Sequence, residues 1–196
     1  FIVKGKNLEN INTDISKIIQ TDGIKDNPDL VFNIINGFVH GCLIEKPDNI
    51  KDIAESFLNL FNSNFGKKEK EIKDKLKPIF SLIVSRYFIN TLTNSNKQLS
   101  EEDKKQTEEK LFECYQIFHK EDKEKIKSFK DIPLKELLDL QDKYLKERFE
   151  KKGVNGGREY ETFLKMAYNL MSKSEGNKKL TVKDLEDQKD IFKDLK

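Results

Sequence analysis

The segment "KKGVNGGR", Lys151 to Arg158, holds the residue types in this chain best suited to gripping an anion. Gly153, Gly156 and Gly157 let backbone N–H groups approach a phosphate, and a helix starting after them adds positive potential. Lys151, Lys152 and Arg158 flank the glycines with charge. A P-loop is excluded, because no strand pattern precedes the glycines and no Gly-Lys-Ser/Thr follows. The plainer alternative is a helix C-cap with a tight turn.

Gly153-Val154-Asn155-Gly156 between two predicted helices is also a GxxG loop, the device with which KH modules clamp a nucleic-acid backbone. No sheet pattern accompanies it, so that likeness is local. A second cationic stretch holds Lys67, Lys68 and Lys70, continued by Lys73, Lys75 and Lys77. Glu69, Glu71 and Asp74 are interleaved with these lysines, and several pairs stand three or four residues apart. Such spacing lets opposite charges neutralise one another on a helix. The stretch is therefore either a phosphate-binding patch or the solvated end of a helix.

Metal and nucleophile patterns are sparse. His40 lies near Cys42, and His119 near Cys114, but neither spacing matches a zinc finger or knuckle. Both cysteines fall on apolar helical patterns, which predicts buried free thiols in a reducing compartment. No G-x-S-x-G or H-E-x-x-H occurs, and the chain reads as a non-enzyme with no metal and no cofactor. A calcium loop with Gly156 at its glycine position would put Lys151 first, Gly153 third and Thr162 twelfth, where calcium needs carboxylates. A calcium-free relative of paired helix–loop–helix units between Leu99 and Met171 is one alternative fold reading. Ser100 and Thr181 precede acids at the spacing of acid-directed phosphorylation, and the same residues fit helix caps. Ser172 and Ser174, in "MSKSEGNKK", are further phosphorylation candidates.

The elements that must carry these residues are helices. Across 196 residues, 36% are hydrophobic and 37% charged, and 37 basic residues nearly cancel 35 acidic ones to leave +2. That balance excludes a polycation, so any anion binding rests on local segregation of charge. Arginine occurs only as Arg86, Arg148 and Arg158. Lysine contacts read phosphate charge without the bidentate geometry of arginine. No run approaches the ~20 apolar residues of a membrane span.

Apolar residues recur at three and four throughout. Asn27-Pro28 supplies a cap and a first-turn proline. The run from Leu30 to Val39 is apolar on most sides and predicts the central buried helix, with Gly37 and Gly41 permitting close approach of another helix. Gly66 is placed as the stop of the helix holding Ile53, Phe57 and Phe61. Pro78 predicts a break just before it, because an interior proline costs ~3 kcal/mol. Ile126 and Phe129 mark a short piece before Pro133, and Leu185, Ile191, Phe192 and Leu195 mark one side of a last helix capped at Thr181. The expected fold is all-α: a compact, bundle-like single domain over 1–196 with eight to ten helices. Thr93 to Lys97 would link halves 1–94 and 98–196 that share a core.

The N-terminal stretch "FIVKGKNLENINTDISKIIQTDGIKDNPDLVFNIINGFVHGC" resembles the early-gametocyte RNA-binding phosphoproteins of the malaria parasite Plasmodium. The resemblance implies a dimeric, all-α RNA-binding phosphoprotein of sexual differentiation. Its place would be the cytoplasm, with the nucleus as a second location. That family is associated with P-x-x-P motifs, and none occurs among Pro28, Pro47, Pro78 and Pro133. With it, the expected partners are RNA and a second copy, with phosphate contacts from Lys151, Lys152, Gly156, Gly157 and Arg158 and from Lys67, Lys68 and Lys70. The competing expectation is a protein-interaction scaffold whose surplus apolar residues form a partner or dimer face.

Overall fold

The computed structural model describes residues 7–92, 99–119, 126–146, 158–173 and 179–192, and eight α-helices run through them. Local chemistry sets most of their starts. Helix α1 (Leu8–Ile19) begins where the Asn7 side chain accepts the Glu9 N–H. Helix α2 (Pro28–Glu45) begins where Asn27 accepts the Leu30 N–H at 3.2 Å, with Pro28 in the first turn. Both caps satisfy amides that have no intrahelical acceptor. Helix α3 (Ile50–Phe61) buries Ile53, Ala54, Phe57 and Leu58.

Gly66 does not end α3, as its position predicts. The helix stops at Phe61 with Asn62 as its C-cap. Gly66, at φ +57°, opens a 3₁₀ turn (Gly66–Lys68). The fully buried Phe65 draws the chain inward just before it, and the left-handed glycine turns the chain out again at little steric cost.

Helix α4 (Glu69–Leu92) also departs from the expected break, running unbroken through Pro78. Tertiary burial explains this. Ile72 and Leu76 before the proline, and Ile79 and Phe80 after it, are fully buried in one core. Breaking the helix would pull one set away, and each such side chain contributes ~1.5–3 kcal/mol on burial. Two such side chains together match or outweigh the ~3 kcal/mol that an interior proline costs. The Ser81 hydroxyl donates to the Pro78 carbonyl at 2.6 Å.

Helix α5 (Glu101–Phe118) is capped by Ser100, whose hydroxyl accepts the Asp103 N–H at 3.1 Å. The piece predicted around Phe129 is a 3₁₀ turn (Phe129–Asp131) leading into helix α6 (Leu134–Leu145). Helix α7 (Arg158–Lys173) follows. The last predicted helix is shorter than its pattern: α8 (Val182–Asp187) gives way to a 3₁₀ turn (Lys189–Phe192). The tighter pitch separates residues that an α-helix would keep on one side. Leu185 and Phe192 are buried, whereas Ile191 is 45% exposed. Leu195 lies outside the described residues. An isolated antiparallel bridge pairs Pro133 with Thr181, through Leu134 N–H to Leu180 O at 2.9 Å and Val182 N–H to Ile132 O at 3.0 Å. The bridge ties the α5–α6 connection to the α7–α8 connection, so a second helix–loop–helix pair extends past Met171.

The central helix is α4, not α2. From Pro78 to Ser85 every residue of α4 is buried, and α4 packs on α2, α3, α5, α6 and α7. One cluster of buried residues extends from Leu8 to Phe192. Phe118 stands at a crossing point, 4.6 Å from the ring of Phe61 and 5.1 Å from that of Phe80. The fold is an all-α multi-helix bundle.

Candidate functional site

The outer face of α2 carries two exposed large apolar side chains, Leu30 and Ile44. Its core side buries Val31, Ile35, Phe38, Val39 and Cys42. Leu30, Ile34, Gly37, Gly41 and Ile44 fall within about 80° of one another at 100° per residue, on the opposite side. Leu30 is 38% exposed and Ile44 65% exposed. A Cβ built on Gly37 or Gly41 would meet nothing within 4 Å, so the groove between the larger side chains is open. No Asp, Glu, Lys or Arg lies between Leu30 and Ile44, in a chain that is 37% charged. Depletion of charge at an exposed apolar patch is the compositional mark of an interface core.

The lysine stretch is largely self-neutralised. Lys68 pairs with Glu71 at 3.2 Å, Lys73 with Glu69 at 2.6 Å and Lys77 with Asp74 at 3.2 Å. Lys75 reaches across to Asp29 on α2 at 2.9 Å. Lys67 and Lys70 are exposed and make no ion pair with a described residue. Lys151, Lys152, Gly156 and Gly157 lie outside the described residues, and Arg158 opens α7.

The start of α7 is fixed by Tyr160, whose hydroxyl accepts from Arg86 Nε at 3.2 Å while the guanidinium sits 5.0 Å from its ring centre. Arg86 thus holds α7 on α4. At 1.5 Å per residue Arg86 stands ~24 Å along α4 from Lys70. A cleft of about 530 Å³ beside α1 and α3 is lined by Glu9, Asp52 and Glu55 with Asn12, Thr13 and Ser56. Its carboxylates disfavour a phosphate.

The thiols are inert by environment. Cys42 and Cys114 are free and buried. Burial pushes Cys42 up to about 11 and Cys114 up to about 12, and a thiol held protonated is a poor nucleophile and metal ligand. Cys114 Sγ lies 3.8 Å from the Ala54 carbonyl, and His119 stacks on Tyr115 at 4.4 Å. Among the described residues no group of three or more His, Cys, Asp or Glu could hold a metal ion. No described helix is long and apolar enough to cross a membrane.

Of the phosphorylation candidates, Ser100 is exposed and its hydroxyl also donates to Asp103 Oδ2 at 2.6 Å. Thr181 is half-buried, and its N–H and hydroxyl both bond Asp184 Oδ2, at 2.8 and 3.2 Å. Ser172 is exposed and donates to the Asn169 carbonyl at 2.9 Å. Ser174 lies outside the described residues.

The sequence marks Gly37 and Gly41 as permitting a helix contact but assigns α2 to the centre of the bundle. The missed signal is phase: Leu30, Ile34, Gly37, Gly41 and Ile44 repeat at four and three along one side. Compared with models of protein families, with curated proteins and with solved structures, the chain gives no significant match.

Proposed function

We propose that this chain is a non-enzymatic helical interaction module of a reducing, intracellular compartment. Its binding surface is the outer face of α2, which accepts an apolar helix from a partner protein or a second copy. One observation carries the reading: a charge-free stripe in which Leu30, Gly37 and Ile44 are exposed and Ile34 and Gly41 half-buried, in a chain otherwise dense in charge. Helices dock on such stripes through anchors at three- and four-residue spacing. The test compares wild type with Ile44→Glu, which sets a charge in the stripe, and Lys70→Glu, which does not. Sedimentation of the purified chain reads self-association, and capture from lysate reads other partners. Loss in Ile44→Glu alone supports the proposal. Equal association by all three chains refutes it.

A second reading, the RNA-binding phosphoprotein implied by the resemblance, draws support from Lys67 and Lys70, which are exposed and make no ion pair with a described residue. In this reading Lys151, Lys152 and Arg158 form a second patch, and dimerisation adds the patches of two copies. Affinity for single-stranded RNA then falls with salt, with a log–log slope of roughly −0.7 per phosphate neutralised. Charge reversal to Glu at Lys67 and Lys70, or at Lys151, Lys152 and Arg158, weakens it. Binding that ignores salt and survives both reversals excludes this reading.

A further inference from the structure

Glu108 on α5 and Glu186 on α8 both face Lys130 on the 129–131 turn. Lys130 Nζ stands 3.9 Å from Glu108 Oε2 and 3.6 Å from Glu186 Oε2, longer than a hydrogen bond to either. The two carboxyl side chains are only 14% and 13% exposed. Glu108 has a further donor, the Tyr87 hydroxyl of α4, at 2.6 Å from its Oε1. Glu186 is less well served: its Oε1 is buried with no hydrogen-bond partner among the described residues. An ionised carboxylate so placed is costly beside a second one. The neutral acid can instead donate its own proton to Glu108.

We infer that Glu186 is a proton-operated latch: neutral, it fastens α8 to α5; ionised, it repels Glu108 and lets α8 and the turn after it lift from the core. The facing groups are Lys104 and Glu108 on α5, Lys130 on the 129–131 turn and Tyr87 on α4, with Glu101 acting on Tyr87. On α8 itself Lys183 and Asp187 are exposed, and Asp184 is engaged at the N-cap.

Burial raises the Glu186 carboxyl above its ordinary value of 4.5; Lys104 and Lys130 oppose the rise and Glu108 adds to it. Between the ordinary value and the folded value the native chain binds the extra proton. Docking of α8 is therefore firmest in mild acid and weakens as pH rises through the folded value. The segment that lifts carries Val182, Leu185 and Phe192, all fully buried, with the Phe192 ring 5.5 Å from Phe163. Its release uncovers an apolar floor on α7.

Amide hydrogen exchange on the whole chain tests the latch. The probes are Leu185 N–H, bonded to Thr181 O, and Gln188 N–H, bonded to Leu185 O. After correction for intrinsic exchange, wild-type protection at these amides falls severalfold from about pH 4.5, the ordinary carboxyl value, to about pH 8.5. The isosteric Glu186→Gln abolishes the fall, and Glu108→Gln reduces it by removing the repelling charge. Lys130→Met moves the fall to higher pH, because one of the two opposing cations is gone while Lys104 remains. Equal protection at both pH values in wild type, or an unchanged fall in Glu186→Gln, overturns the proposal.

Discussion

Replacing Gly37 and Gly41 with alanine should strengthen the isolated fold and weaken whatever docks on it. Both glycines lie in the interior of α2 and neither has a positive φ. An added Cβ at either meets nothing within 4 Å, so no steric cost arises within the chain. Alanine is favoured over glycine in a helix interior by ~0.8–1.0 kcal/mol, mainly because glycine loses more backbone freedom on folding. The double variant therefore gains about 2 kcal/mol. For a chain of this size that raises Tm by ~4–8 °C, at 2–4 °C per kcal/mol.

The measurement is thermal unfolding followed by circular dichroism, at a concentration low enough to leave the chain unassociated, since association itself adds stability. Sedimentation of the same samples at higher concentration reads association. A partner helix packed on the glycines loses its close approach when two methyl groups stand in the groove. The expected signature is opposite signs, with Tm up and association down. A fall in Tm would show that the space above the glycines is filled within the chain itself. A rise in Tm with unchanged association would show that docking does not use this groove.

Other perturbations probe the core and the thiols. Phe118→Ala removes a ring in contact distance of Phe61 and Phe80 and should cost ~3–5 kcal/mol in urea unfolding; a loss under 1 kcal/mol would mean that the cluster repacks freely. Tyr144 donates to the buried Asn36 Oδ1 at 2.9 Å, so Tyr144→Phe should cost about 1–3 kcal/mol by stranding that acceptor, measured in the same way. Because burial pushes Cys42 up to about 11 and Cys114 up to about 12, native protein near pH 8 should leave a thiol reagent unreacted, while guanidinium-unfolded protein reacts at both. Rapid labelling of the native chain would refute the buried placement.

Much of the fold is legible because its causes are local. Asn27 before Pro28, and Ser100 before three acids, mark helix starts that the structure keeps. Lys68 with Glu71, Lys73 with Glu69 and Lys77 with Asp74 pair as their spacing on a helix predicts. Failures occur where a distant element outweighs a local rule. Pro78 reads as a break, yet core contacts on both of its sides hold α4 together. The Leu30–Val39 run reads as central, yet α4, diluted in sequence by its charged first turns, takes that place. The Glu108–Glu186 pair has no sequence signal, because its members lie on helices far apart in the chain.

By itself, then, the sequence determined the helical class, several caps and the charge pairs within single helices. Each depends on groups three or four residues apart, which helix geometry brings within ~6 Å whatever else the chain does. Only the tertiary structure decided which side of α2 faces water, which cation meets which acid across helices, and which carboxyl group lost its solvent. Those outcomes depend on how much room the other helices leave, and burial is a property of the whole packed assembly that no local spacing encodes.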